Sequence, residues 1–114
     1  MALHIQTTNS ITPDALWNYI LKQIKKGEID TWETDADEDL THIPYQWYRE
    51  AWFRHYPDDN ELIIGIIARR DKKMSKVIYG LYHGRFAEML LIHFDTLIKE
   101  IKISSYPENG YDLI

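Results

Sequence analysis

Glu61-Leu62-Ile63-Ile64-Gly65-Ile66-Ile67-Ala68-Arg69-Arg70 is the stretch whose reading decides the fold. It is short, apolar and rich in β-branched residues. Pro57-Asp58-Asp59-Asn60 precedes it and Asp71-Lys72-Lys73-Met74 follows, both turn-forming. Such a run between two turns reads as a strand. Downstream, Lys76-Val77-Ile78-Tyr79-Gly80-Leu81-Tyr82-His83 reads as a second strand, with Gly84 bending the chain into a helix over about 85–101. Phe86, Leu90, Phe94, Leu97 and Ile101 form that helix's stripe at helical spacing, and Met89 and Ile92 beside it hint at a second contact surface. His93, at the margin, reads as a structural residue. Upstream, the aromatic segment Tyr45, Trp47, Tyr48, Trp52, Phe53 and Tyr56 reads as a strand over 46–56.

Working outward, the turn lengths suggest a register. Pairing Tyr56 with Glu61 and Arg70 with Ser75 puts Trp52, Gly65 and Gly80 in one row across three strands. A strand glycine leaves a notch and often marks a close approach; here either Trp52 lies over Gly65 and Gly80 or a helix seats in the notch. The same register leaves neither sheet face plainly polar. An antiparallel sheet with one wet face alternates cleanly, so both faces need cover. Either two helices split them, or the helices share one face and a second copy of the chain covers the other.

The first helix is signposted at both ends. Thr12 caps, Pro13 opens the first turn and Asp14 complements its dipole. Leu16, Trp17, Ile20, Leu21 and Ile24 share one face, lysines 22, 25 and 26 close the helix, and Gly27 follows as the residue that ends it. Residues 28–41 are acidic, with a candidate strand at Ile29 to Thr34. Asp35-Ala36-Asp37-Glu38-Asp39 imitates the start of a calcium loop. The pattern then fails, with Leu40 where the tight turn needs glycine and Gln46 where a bidentate glutamate belongs. A solvated acidic loop accounts for it better. Residues 3–7 alternate as a short edge strand would, and the apolar last four residues pack on the body or add a strand. The expectation is one α+β domain over 1–114. It has an antiparallel β-meander of at least three strands with an N-terminal and a C-terminal helix, in αβββα order.

That order resembles double-stranded-RNA-binding domains, in topology alone. Arg85-Phe86-Ala87-Glu88-Met89 lacks the lysine cluster those domains set on phosphates, so the family is not assigned.

Composition narrows the function. At 114 residues with 45 % apolar content, the chain can bury a core of its own. No cysteine is present, which excludes disulfides, thiolate nucleophiles and cysteine-ligated zinc and fits a reducing cytoplasm. The N-terminus carries no secretory pattern, and the run from Leu62 to Ala68 is far below the roughly 20 residues that a bilayer requires. Neither a membrane nor a nucleic-acid partner is expected, since a net charge of −5 opposes a phosphate-binding surface. It favours a basic protein partner instead.

Catalytic signatures are missing. The chain has no phosphate loop, no His-Glu-x-x-His, no Gly-x-Ser-x-Gly and no dinucleotide fingerprint. No catalytic residue, metal ligand or cofactor is assigned. One constellation bears on ligand binding: Tyr82-His83-Gly84-Arg85 at the expected strand-to-helix junction. A helix N-terminus attracts anions, Gly84 would admit a ligand to the backbone, and Arg85 and His83 would hold its charge. The register adds His55. A phosphate or carboxylate pocket of His55, His83, Gly84 and Arg85 is therefore the candidate site, set against simple solvation of the same side chains. The leading expectation is a non-catalytic interaction module, homodimeric through a sheet or helix face, of which an acidic inhibitor or immunity-type protein is one variant. The alternative is a small-molecule-binding protein or enzyme acting on an anionic ligand at the His83–Arg85 junction.

Overall fold

The structure is a computed structural model that describes residues 2–114, the side chain of Tyr45 aside. In chain order it comprises β1 (Leu3–Thr7), α1 (Pro13–Lys25), β2 (Trp32–Thr34), β3 (Leu40–His42), β4 (Ala51–Tyr56), β5 (Leu62–Ala68), α2 (Lys76–His93) and β6 (Ile98–Ile103). One-turn 3₁₀ segments lie at Tyr45–Trp47 and Asp95–Leu97. The strands form one six-stranded antiparallel sheet in the order β2-β3-β4-β5-β1-β6. The α+β class and the meander between an N-terminal and a C-terminal helix are as the sequence implies, with the four consecutive strands β2 to β5 lying between α1 and α2.

The first helix forms as its signals dictate. Thr12 Oγ1 accepts from the Ala15 amide at 3.2 Å, and Pro13 occupies the first turn. Gly27 adopts φ +81°, the left-handed conformation that ends a helix without a Cβ penalty. Leu16, Trp17, Ile20, Leu21 and Ile24 are buried together.

The second helix differs from expectation. Residues 76–83 are not a strand but the first half of α2. Ser75 caps them, its hydroxyl accepting from the Ile78 amide at 3.1 Å. Locally Val77, Ile78 and Tyr79 favour a strand. The buried set Tyr82, His83, Phe86, Met89 and Leu90, however, keeps one helical stripe running straight through Gly84, and that packing overrides propensity. Gly84 is therefore mid-helix and makes no bend. The helix stops at His93, short of the expected 101, and 98–103 form β6. A β-bulge in the β1–β6 pairing pairs Ile98 with Thr7 and Ile101 with Ile5, so isoleucines three apart both face inward. That spacing imitates a helix in the sequence.

The register corrects the expected row. Tyr56 pairs with Ile63 rather than Glu61, because the Asp58 carboxylate accepts from the Asn60 and Glu61 amides, both at 3.0 Å, and lengthens the turn. Arg54, not Trp52, lies beside Gly65, and Gly80 belongs to α2. The slip is of two residues, so every side chain keeps its face. One face carries Leu3, Ile5, Leu40, Ala51, Phe53, Leu62, Ile64 and Ile66, all essentially inaccessible. Both helices pack on it: Trp17 of α1 stacks on His55, while Tyr82 and Phe86 of α2 meet Phe53 and Trp32. Strand β1 is not an edge. It lies between β5 and β6.

The chain itself covers the middle of the second face. Tyr111 sets its ring edge-on to those of His4 and Tyr56, and its carbonyl lies over Gly65. A Cβ on Gly65 would stand 2.0 Å from the Tyr111 oxygen, so the notch read in the sequence is real and backbone fills it. Leu113 then pairs with Ile67 as a parallel bridge, continuing the edge of β5 where β1 ends.

Candidate functional site

The four residues of the candidate anion pocket do not assemble. His83 is 3 % exposed and donates from Nδ1 to the Tyr79 carbonyl at 2.7 Å, packed against the rings of Phe53 and Tyr79. It is part of the core. Gly84 lies two helical turns from the nearest free amides of α2, so the expected helix-start chemistry has no basis there. His55 and Arg85 line two different clefts.

His55 belongs to the larger of those two, of about 480 Å³, between α1, the β2–β3 turn and β4. Its walls bring together Asp14, Asp37, Glu38 and Asp39, with Arg54 and His55 opposite and Trp17 in the floor. The charges arise from local structure. The Asp35 carboxylate accepts from the Asp37 and Asp39 amides at 2.9 and 3.0 Å, which tightens the acidic loop into a turn. Glu38, at φ +62°, projects from that turn and meets Lys25 at 3.3 Å. Asp39 is buried, and Arg54 spans both its oxygens at 3.1 and 2.8 Å, a bidentate pair. That bond raises the Arg54 pKa further above its ordinary value. The guanidinium is thus already committed. His55 stacks on Trp17 with centroids 5.3 Å apart and meets Asp14 at 3.1 Å. What the cleft offers a visitor is carboxylate and an aromatic floor.

The carboxylates of Asp35, Asp37 and Asp39 also lie within 4.8 Å of one another. Asp35 Oδ1 already serves the turn amides and both Asp39 oxygens serve Arg54, so two of the three carboxylates are engaged in holding the turn.

Arg85 lines a second cleft of about 320 Å³ with Trp32, His42, Trp47, Glu88 and His93. It forms an (i, i+3) pair with Glu88 at 3.3 Å. Beneath it His42 is 4 % exposed, and its ring lies 4.5 Å from that of Trp32. Burial pushes the His42 pKa down, against the raising effect of its hydrogen bond to the Thr31 backbone. The ring is therefore neutral near pH 7, and its Nδ1 is a bare acceptor. Neither that atom nor Trp32 Nε1 has a partner among the described residues. Two buried polar atoms left unpaired side by side are uncommon.

Sequence reasoning missed His42 because β3 lies inside the acidic segment and reads there as loop. Its signal was Leu40-Thr41-His42-Ile43, a short apolar alternation closing the charged run. No protein family, curated protein or solved structure matches the chain.

Proposed function

We propose that this protein is a non-catalytic interaction module that binds a basic protein partner, as an acidic inhibitor or immunity-type protein does. One observation carries this reading. Among the described residues four carboxylates line the α1 cleft; Arg54 is taken up by Asp39 and Lys25 by Glu38, which leaves Asp14 and Asp37 without a lysine or arginine partner. An incoming lysine or arginine finds uncompensated negative charge over the Trp17–His55 stack, where a cation gains from the ring faces as well. The net charge of −5 steers such a partner inward from a distance. In the same reading the module works in a reducing cytoplasm, in keeping with its cysteine-free sequence, and is homodimeric through a helix face.

The test uses an arginine-rich peptide as probe, with binding mapped by amide and indole NMR shifts in 0.15 M salt, where loose surface attraction is screened. Shifts should centre on Trp17, Asn18 and His55 and vanish in Asp14→Asn/Asp37→Asn/Glu38→Gln. A control variant of equal charge change, Glu33→Gln/Asp59→Asn/Glu100→Gln, should retain them. Equal loss in both variants would reduce the cleft to bulk charge and refute the reading.

A second reading, a protein that binds a small anionic molecule, is favoured by the unpaired Trp32 Nε1 and His42 Nδ1 below Arg85. Phosphorylated and carboxylated metabolites should then raise the melting temperature, and Arg85→Ala should abolish the rise. No shift with any of them removes this reading.

A further inference from the structure

The outward face of α2 carries apolar residues where a surface helix carries charge. Val77, Leu91 and Ile92 are 63, 56 and 66 % exposed. Val77, Gly84 and Leu91 recur every seven residues, with Gly80 and Ala87 at the intervening positions. Five positions of an a/d seam are therefore apolar or small over two heptads, on the side of the helix opposite the buried Tyr82, Phe86 and Met89. Among the described residues outside the helix's own adjacent backbone, nothing lies within 4 Å of where a Cβ on Gly80 or Gly84 would stand. The low helix propensity of two mid-helix glycines has no counterpart in the protein's own packing. It does let a second backbone approach closely.

The ends of the same helix carry charge of the wrong sign for an isolated helix. The first turn has no acidic residue and begins with Lys76 after Lys73, Lys72 being held by Glu50 at 2.6 Å, while Asp95 follows the last turn, which itself ends on His93. Lys73 and Lys76 at the start and Asp95 at the end add to the helix dipole instead of offsetting it. A neighbour running antiparallel corrects both ends at once, because its acidic C-terminal end lies beside the basic N-terminal end and the reverse.

We infer that α2 is the interface of a twofold homodimer, two copies pairing antiparallel about Gly84. This rests on the homodimeric part of the proposed function and names the surface. In this pairing Val77 meets Leu91 of the second copy and Gly84 meets Gly84, so one patch complements itself, as twofold symmetry requires. Lys73 and Lys76 lie beside Asp95 of the second copy. The sheet is the poorer surface for pairing, because the C-terminal segment covers the middle of its second face.

Absence of cysteine makes the geometry directly testable. Sedimentation or light scattering over a concentration series should show the wild-type chain as a dimer, and Leu91→Glu as a monomer with an unchanged melting temperature at low concentration. Gly84→Cys, on the axis, should form a disulfide-linked dimer under mild oxidation. Val77→Cys alone should not, since its copies lie about 21 Å apart along the pair at 1.5 Å per residue, whereas an equal mixture of Val77→Cys and Leu91→Cys should cross-link. A wild-type chain that is monomeric throughout overturns homodimerisation itself and leaves the face to another protein. A dimer that survives Leu91→Glu, or cross-links through Val77→Cys alone, overturns this surface only.

Discussion

Replacing Gly65 by alanine should release the C-terminal segment from the sheet. The added Cβ would stand 2.0 Å from the Tyr111 carbonyl oxygen and 2.6 Å from its carbon, with the Tyr56 ring at 3.1 Å. Ordinary contact needs more than about 3.4 Å, so the Tyr111 backbone must move by well over an ångström. Three hydrogen bonds hold it there. The Leu113 amide donates to the Ile66 carbonyl at 2.8 Å, the Ala68 amide to the Leu113 carbonyl at 2.9 Å, and the Ile66 amide to Asp112 Oδ1 at 2.9 Å. At about 1 kcal/mol net for each, their loss amounts to about 3 kcal/mol. For a domain of this size that lowers the melting temperature by about 12 °C. Urea unfolding measures the energy, and a second chain ending at Pro107 supplies the control. Truncation alone should cost a similar amount, and Gly65→Ala should cost almost nothing in the truncated background, where the carbonyl it strikes is gone. A cost below about 0.5 kcal/mol in the full chain, or an equal cost in both backgrounds, would refute the assignment of Gly65 to tail docking.

Two further outcomes follow from polar groups outside the clefts. His4 lies between Glu61 and Glu108; burial lowers its pKa, but hydrogen bonds and charge from the two carboxylates outweigh this and raise it above 6.5. A raised folded value stabilises most below the unfolded pKa and loses that gain as pH climbs through the folded one, so melting temperature should fall as pH rises above about 6.5 and His4→Gln should flatten that fall; an unchanged slope would refute it. Tyr82 is fully buried, and its hydroxyl donates to the Trp47 carbonyl at 2.6 Å and accepts from the Glu50 amide at 3.0 Å. Tyr82→Phe leaves both groups without that partner and should cost about 1–3 kcal/mol in urea unfolding, with faster hydrogen exchange at the Glu50 amide as the local signature.

Legibility followed how local the deciding physics was. Helix α1 was readable to its caps because Thr12, Pro13 and Gly27 act within a turn of themselves. Strand β5 was readable for the same reason, lying between turns. The 76–83 segment was not, because its propensity and its packing disagree. Only the partners Phe53 and Trp32, on distant strands, reveal that Tyr82 and Phe86 share one face with them. Ile98 and Ile101 misled in the other direction, a bulge giving a strand the spacing of a helix. The candidate site suffered from the same junction error. Once the chain continues helically through Gly84, His83 turns inward to the core and Arg85 outward to a cleft, so the structure does not bring the two together. Gly65 shows the opposite outcome: the sequence implied a close approach there, and only the identity of the approaching group, a backbone from the far end of the chain, was hidden.

The central position of β1 has a consequence for how this protein comes to exist. Its two neighbours are β5, some sixty residues later, and β6, nearly a hundred residues later. During synthesis the first strand therefore emerges long before either partner. Leu3 and Ile5, which end up wholly inaccessible, have no strand partner until β5 has left the ribosome, and their second partner follows only with residue 103. Helix α1 and the β2–β5 meander can assemble from near neighbours, but the sheet closes only when the first strand is captured between two late ones. Such long-range pairing is slow, and it leaves apolar strand exposed in the interval.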